Sequence, residues 1–173
     1  MDDDVIRIPL RARDGSVRAW VIVDREDEDL AELRWGLDSY GYAQRTIESV
    51  NANSGRGTER LHRVILSRIH ERALSPQDQC DHINRNRLDN SRSNLRIATP
   101  SQNGANRKPW GLSSFLGVNM SCGRWTARLC HNGARIHLGY YADESEAARA
   151  YDRAAREYHG EYARLNFPQE ADA

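Results

Sequence analysis

The sequence predicts an α+β protein made of small sheets and a few helices, and three stretches carry that prediction. Residues 124–140 alternate apolar and polar side chains on either side of Asn132-Gly133, the pattern of a β-hairpin closed by a tight turn. Residues 143–158 follow with alanine and tyrosine at helical spacing behind an Asp-x-x-Glu start. Between residues 80 and 107 the order reads strand, loop, strand, helix, and the loop is dense in asparagine and arginine.

The elements follow in chain order. Val5–Leu10 and Val17–Val23 are strand-like, with a turn at Arg13-Asp14-Gly15-Ser16 between them. Glu26–Leu37 reads as a short acidic helix with Leu30, Leu33 and Leu37 on one stripe, and Tyr40–Arg45 returns as a strand. Asn51–Thr58 is a polar, glycine-containing loop. Arg60–Leu74 is an amphipathic helix through Leu61, Val64, Ile65 and Ile69, stopped at Ser75-Pro76. Cys80–Ile83 is a strand, Asn84–Ser93 a loop and Leu95–Ala98 a second strand. Thr99 then suits a helix N-cap, Pro100 the first helical position and Gln102 the reciprocal bond of a capping box. Asn103 therefore falls in the first turn of a helix that reaches about Arg107.

Residues 108–114 read as a linker. Beyond it Phe115–Met120, Arg124–His131 and Arg135–Tyr140 form a three-stranded antiparallel sheet. Trp125, Ala127, Leu129, Ile136, Leu138 and Tyr140 occupy the covered face, with Arg124, Thr126, Arg128, Cys130, Arg135 and His137 on the other. A helix from Asp143 to Tyr158, alanine-rich on one side and closed by Gly160, packs on that sheet. The domain boundaries expected are 1–59 for the β-rich region, 60–108 for the strand–loop–strand–helix unit, 109–112 for a linker and 113–168 for the sheet and helix.

Composition narrows the function classes. Charged residues are 29% and hydrophobic residues 39%, and no apolar run approaches the roughly 20 residues of a membrane span. The acidic start, MDDDVIRIP, argues against a signal or transit peptide, and three cysteines without a C-x-x-C pair argue for a reducing cytoplasm over a disulfide framework. The chain is formally neutral, yet residues 1–60 carry −4, residues 61–112 carry +5 and residues 113–173 carry −1. A basic middle matters for polyanion binding, which depends on local charge.

The chemistry concentrates at Asp81-His82. Phosphodiester hydrolysis needs a hard cation near the leaving oxygen, a base for the water, and a group that holds the base in one tautomer. Asp81 at a strand end and Asn103 at a helix start offer oxygen ligands, which suit magnesium. His82, adjacent to Asp81, points to the other side of the strand and is the candidate base, with Asn94 as the residue that orients it.

The stretches "LHRVIL", "DHINRNRLDNSRSNLR" and "TPSQN" resemble the HNH endonucleases of phages and mobile introns, with a looser likeness in "IPLRARDGS" and "GYAQR". The resemblance implies a ββα-metal fold over residues 60–108. It also implies Asp81 and Asn103 as metal ligands, His82 as general base, Asn94 as its orienting residue, and Mg2+, with Mn2+ as a substitute, as the metal. The third motif position is Asn103 rather than histidine, a variant that also occurs in that family. The stretches "FLGV", "GRWTARL" and "IHLGYYADESEAARAYDRAAREYHGEYARLNFP" resemble the plant Apetala/ethylene-response-factor DNA-binding domain, whose sheet enters the major groove. That likeness implies groove contacts at Asn119, Ser121, Arg128, Cys130, Arg135 and His137, with Arg124 on the same face. The combination resembles phage homing-type nucleases.

The expectation is a strand-nicking endonuclease, working in the cytoplasm (a host's, if phage-encoded) on double-stranded DNA, with no membrane and no protein partner implied. The alternative is a DNA-binding transcriptional regulator with a vestigial nuclease unit. Arg85, Arg87, Arg92 and Arg96 suit phosphate contacts or a solvated loop. His62 packs under the site or takes part in it. Trp125 belongs to the core. Cys122, Cys130, His131 and His137 have no spacing that fits a common zinc site.

Overall fold

The structure, a computed structural model, describes residues 4–48, 55–105 and 113–170. The chain divides into two units, residues 1–97 and 98–173. In the first, β1 (Val5–Arg11) and β2 (Val17–Asp24) pair antiparallel, with Ile8 opposite Val21 and Leu10 opposite Ala19. Alternation places Ile8, Leu10, Val21 and Val23 inward. A second sheet runs β3 (Gly36–Leu37), β4 (Ala43–Glu48), β5 (Arg56–Arg60), all antiparallel. α1 (Leu61–Ile69) follows, then β6 (Gln79–His82) paired with β7 (Leu95–Ala98).

One core serves all of these elements. Ile8, Leu10, Val21, Val23, Leu30, Trp35 and Ala43 pack in the same cluster as Leu61, Ile65, Leu66 and Leu95. The boundary expected near residue 59 therefore does not separate two cores; the first sheet is the floor on which the site-bearing strands rest. Polar ties reinforce the junction. Asp27 is fully buried and its carboxylate accepts from Arg68 (2.9 Å) and from Arg92 Nε (2.8 Å), while Asp24 accepts the Arg92 backbone N–H at 2.7 Å.

Several sequence expectations shift here. The helix expected over Glu26–Leu37 is a 3-10 helix over Arg25–Glu32, non-helical at Asp27, and Leu37 belongs to β3. The Asp27 side chain, held by two arginines, and the Trp35 indole, which donates to Leu30 O at 2.8 Å, favour turning the chain there over propagating a helix. α1 ends at Ile69, five residues early, because Glu71 takes a positive φ of 50°. Within the stretch expected to be a loop at 51–58, residues 56–58 form the start of β5. The linker expected at 109–112 lies outside the described residues, as does the end of the helix beyond residue 105.

In the second unit α2 (Pro100–Ala105) begins with the expected capping box: Thr99 N–H donates to Gln102 Oε1 at 2.8 Å and Gln102 N–H to Thr99 Oγ1 at 3.3 Å. β8 (Val118–Ser121), β9 (Arg124–His131) and β10 (Ala134–Tyr141) form the antiparallel sheet in the order β10-β9-β8. α3 (Glu144–His159) is capped by Asp143, whose Oδ1 accepts from Ser145 and Glu146 N–H. Its alanines let it lie close on the sheet: Ala147, Ala148 and Ala150 meet Val118 and Ala127, and Tyr151, Ala154 and Ala155 meet Leu116 and Leu129. Gly117, at φ +69°, has room only for hydrogen, since a Cβ there would sit 2.1 Å from the Tyr151 ring. The chain end is stapled by buried Asp152, which accepts from Asn166 and Phe167 N–H, both at 2.8 Å.

One face assignment changes. A bulge between His137 and Gly139 shifts the phase of β10, so Tyr140 lies on the outer face, 53% exposed, against Arg124. Thr126 remains on that outer side but is covered, and its hydroxyl donates to Asn119 O at 3.2 Å.

Candidate active site

Asp81 and His82 close β6 on opposite sides of the strand, and both are buried. Asp81 Oδ2 accepts from Arg96 Nε on β7 at 2.9 Å and forms an ion pair with Arg96 Nη2 at the same distance. The Asp81 carboxylate offers the oxygen donors that a hard divalent ion takes, with the Arg96 guanidinium competing for Oδ2. The His82 ring packs edge-on against His62 at the start of α1 (centroids 5.4 Å) and lies 6.0 Å from Tyr42, which also contacts His62 at 5.0 Å. The Arg60 and Arg87 guanidiniums both lie over the Tyr42 ring, 5.2 and 4.7 Å from its centroid.

The loop between β6 and β7 is held by its own short polar side chains. Asn84 Oδ1 accepts Asn86 N–H, Asn86 Oδ1 accepts Leu88 N–H, and Asp89 Oδ1 accepts from the Ser91 hydroxyl at 2.6 Å. Asn94, buried, does not reach His82. Its Oδ1 accepts Asn84 N–H at 2.9 Å and its Nδ2 donates to Asp89 O at 2.7 Å, while its carbonyl accepts Ile83 N–H. Asn94 locks the loop that follows His82, and the side chain at the imidazole is Asn90. Asn90 Nδ2 donates to Arg87 O at 3.2 Å, so its Oδ1 faces His82 Nε2, 3.4 Å away. An amide oxygen on Nε2 favours the tautomer protonated there and leaves the lone pair on Nδ1. Asn90 is 1% exposed, and β2 holds its backbone: Asn90 N–H donates to Ile22 O at 2.8 Å, and Ile22 N–H to Leu88 O at 2.7 Å.

Electrostatics keep both imidazoles neutral. Burial lowers the His82 pKa, against the opposing pull of Asn90 and Asp81. Burial lowers His62 to about 3, helped by His82, Arg60 and Arg63. A neutral imidazole is the form that accepts a proton.

The remaining sequence candidates separate by environment. Arg85, at φ +64° and exposed, has a side chain without hydrogen-bond or ion-pair partner among the described residues. Arg87 donates to Tyr40 O and lies over Tyr42, and Arg96 is engaged with Asp81. Arg92 is held by Asp27 and Glu26, a structural role. Asn103 sits on α2 of the second unit, its N–H donating to Thr99 O. On the sheet Asn119, Arg124, Arg128, Arg135 and His137 are exposed and Ser121 is half-buried. Arg128 stands opposite His137, and Arg135 opposite Cys130. No acid occurs on β8, β9 or β10, and Arg124, Arg128 and Arg135 have no hydrogen-bond or ion-pair partner among the described residues. Among the described residues there is no cluster of three or more His, Cys, Asp or Glu that could hold a metal, and no helix long and apolar enough to cross a membrane.

A family profile described as HNH endonuclease matches residues 59–105, the span from the end of β5 through α2. An uncharacterized HNH endonuclease of Acanthamoeba polyphaga mimivirus is 31% identical over 165 residues, covering 95% of this chain and 82% of its own length. The chain belongs to the HNH endonuclease family. Its second unit is similar to plant proteins: a dehydration-responsive element-binding protein 2E of Arabidopsis thaliana, 47% identical over 67 residues, and an APETALA2-like protein 2 of rice, 48% identical over 60 residues. Those matches cover 32% and 33% of this chain but only 28% and 14% of the plant proteins.

Tyr42, His62 and Asn90 are the side chains found around the His82 ring. Tyr42 lies in "GYAQR", where sequence offered only a loose likeness, and nothing local distinguishes Asn90 from the turn-forming asparagines around it.

Proposed function

We propose that this HNH endonuclease nicks double-stranded DNA with Mg2+, or Mn2+ in its place, and that its second unit holds the duplex. The observation that carries the reading is buried, neutral His82, oriented through Nε2 by Asn90 and flanked by the Asp81 carboxylate. In this reading residues 60–108 supply the chemistry and residues 113–168 the grip.

His82 Nδ1 takes a proton from the attacking water, and Asn90 keeps the ring in the tautomer that can accept it. The Tyr42–His62 wall excludes bulk water from the ring, which keeps the imidazole basic form populated at neutral pH. Asn94 holds the following loop, and Arg85 beside it supplies a charge for a neighbouring phosphate. Asp81 and Asn103 are the ligands we propose for the metal, which when bound supplies charge stabilisation at the departing oxygen. Arg96, paired with Asp81, prevents that buried carboxylate from standing uncompensated. The second unit's similarity to plant proteins named for binding a DNA element, together with the acid-free face bearing Arg124, Arg128 and Arg135, supports the grip. One such site cuts one strand.

Supercoiled plasmid incubated with Mg2+ tests the reading. Wild type converts it to the open circle, EDTA stops the conversion, and His82→Ala lowers the rate by about 10²–10⁴-fold, the usual contribution of a general base. Sequence-specific binding without cleavage under any divalent ion would instead favour the regulator reading.

A further inference from the structure

We propose that the first unit carries a second DNA contact of its own, a phosphate-binding groove where the β1–β2 turn meets β3 and β4. The groove has a volume of about 830 Å³ and is lined by Arg11, Arg13, Arg18, Arg34 and Arg45, with Asp14 as its one acid. Asp14 is itself engaged: its Oδ1 accepts from Ser16 N–H at 3.0 Å and from the Ser16 hydroxyl at 2.6 Å.

The formal −4 of residues 1–60 conceals this surface. Four of the five acids of the neighbouring 3-10 helix are paired with other arginines, Asp27 with Arg68 and Arg92, Asp29 with Arg68, Glu26 with Arg92 and Glu28 with Arg25, which leaves Glu32. Among the described residues, Arg45 is the one groove arginine with an ion-pair partner, Glu59. Arg34 Nη2 donates to Ala12 O at 2.9 Å and Arg13 O at 3.3 Å, and Arg11 Nη1 to Gly15 O at 3.0 Å. Carbonyls orient these guanidiniums without cancelling their charge. Arg13 and Arg18 are exposed and have no hydrogen-bond or ion-pair partner among the described residues. Pinned and unpaired guanidiniums together, spread along a turn and a strand, suit successive phosphates of a polymer better than one small anion.

The groove also continues from the active site along one strand. Tyr42, against His62 and His82, precedes Gln44, Arg45 and Thr46 of the groove lining on the same strand path. At roughly 3.3 Å per residue the two are within about 10 Å. A DNA strand advances about 3.4 Å per nucleotide, so a duplex cut at His82 would present its neighbouring phosphates there. This placement rests on the nuclease reading; the binding measurement below does not.

The test is equilibrium binding of the full chain to a labelled duplex in EDTA, across a salt series, for wild type, Arg13→Gln/Arg18→Gln and Arg13→Lys/Arg18→Lys. Each phosphate contact contributes about 0.9 to the slope of log affinity against log salt. The Gln pair should lower the slope by about 1.8 and weaken binding at least roughly tenfold near 0.1 M salt, and the Lys pair should restore most of both. An unchanged slope with affinity within about twofold overturns the proposal. Arginine modification by phenylglyoxal on wild type needs no variant: duplex should protect Arg13 and Arg18, and equal labelling with and without duplex also overturns it. Loss of plasmid nicking with intact salt-dependent binding would count against the nuclease reading alone.

Discussion

The two units place functional side chains by opposite means. In the first, the groups that matter are buried and polar: Asp81, His82, Asn90 and Asn94 are each 7% exposed or less, as are Asp27 and His62 beneath them. Asn90 and Asn94 are aimed by hydrogen bonds within the irregular β6–β7 loop, His82 by Asn90 of that loop, and Asp81 by Arg96 on β7. In the second, the groups are exposed arginines on regular strands, aimed by alternation over a core of alanine and tyrosine. Burial in a low-dielectric setting tunes a base and holds a tautomer, while a regular surface displays charge to a long partner. A reacting centre therefore requires the first arrangement and a DNA grip the second.

The comparison breaks most visibly where each unit has least tolerance. Gly117→Ala drives a Cβ into the Tyr151 ring and to 2.5 Å from Arg128 O at a positive φ, and should cost the second unit about 3 kcal/mol or more. Chemical denaturation followed by the tryptophans of the chain would show it, and a midpoint like that of wild type would refute the tight helix–sheet contact. In the first unit Asp27→Asn leaves Arg68 and Arg92 without their shared buried anion and should cost about 3 kcal/mol, and nicking by the protein that remains folded should persist. Loss of nicking without loss of stability would instead place Asp27 in the chemistry.

Acid sharpens the contrast further. His62 titrates near 6.5 unfolded but at about 3 when buried, so below pH 6.5 the unfolded chain binds a proton that the native chain refuses. Stability is fully present above pH 6.5 and declines as pH falls from 6.5 toward 3, by about 2 kcal/mol at pH 5. His82, lowered by the same burial, adds in the same direction. Urea midpoints at pH 7 and pH 5 measure this, and His62→Phe should flatten the dependence. The smallest effect belongs to the second unit: Arg128→Ala should weaken duplex binding less than roughly tenfold and lower the salt slope by about 0.9, with stability unchanged because the side chain is exposed.

Sequence reading reached the second unit almost intact. The Asn132-Gly133 turn, with φ of 50° and 80°, the limits of β9 and the Asp143 cap all follow from signals within a few residues. It missed Tyr140, because a bulge is a property of strand pairing and leaves no periodic trace. In the first unit β6, within one residue at each end, and the limits of β7 were legible for the same local reason, as was the Thr99–Gln102 capping box of the second. The pairing of Arg96 with Asp81, across 15 positions, was not, and neither was Asn90 in place of Asn94 at His82.

By itself, then, the sequence determined the backbone grammar: strand periods, caps, turns and the Asp-His and Asn spacings that mark the family. These depend on steric and hydrogen-bonding preferences within about one turn or one hairpin. The tertiary structure decided which side chains meet. It brought Tyr42 to His62 and His82, joined residues 5–48 to the nuclease strands in one core, and gathered five arginines of a formally acidic segment into one groove while Glu26, Asp27 and Asp29 pair with Arg68 and Arg92. Those outcomes depend on contacts between distant positions, where burial and charge pairing outweigh local preference.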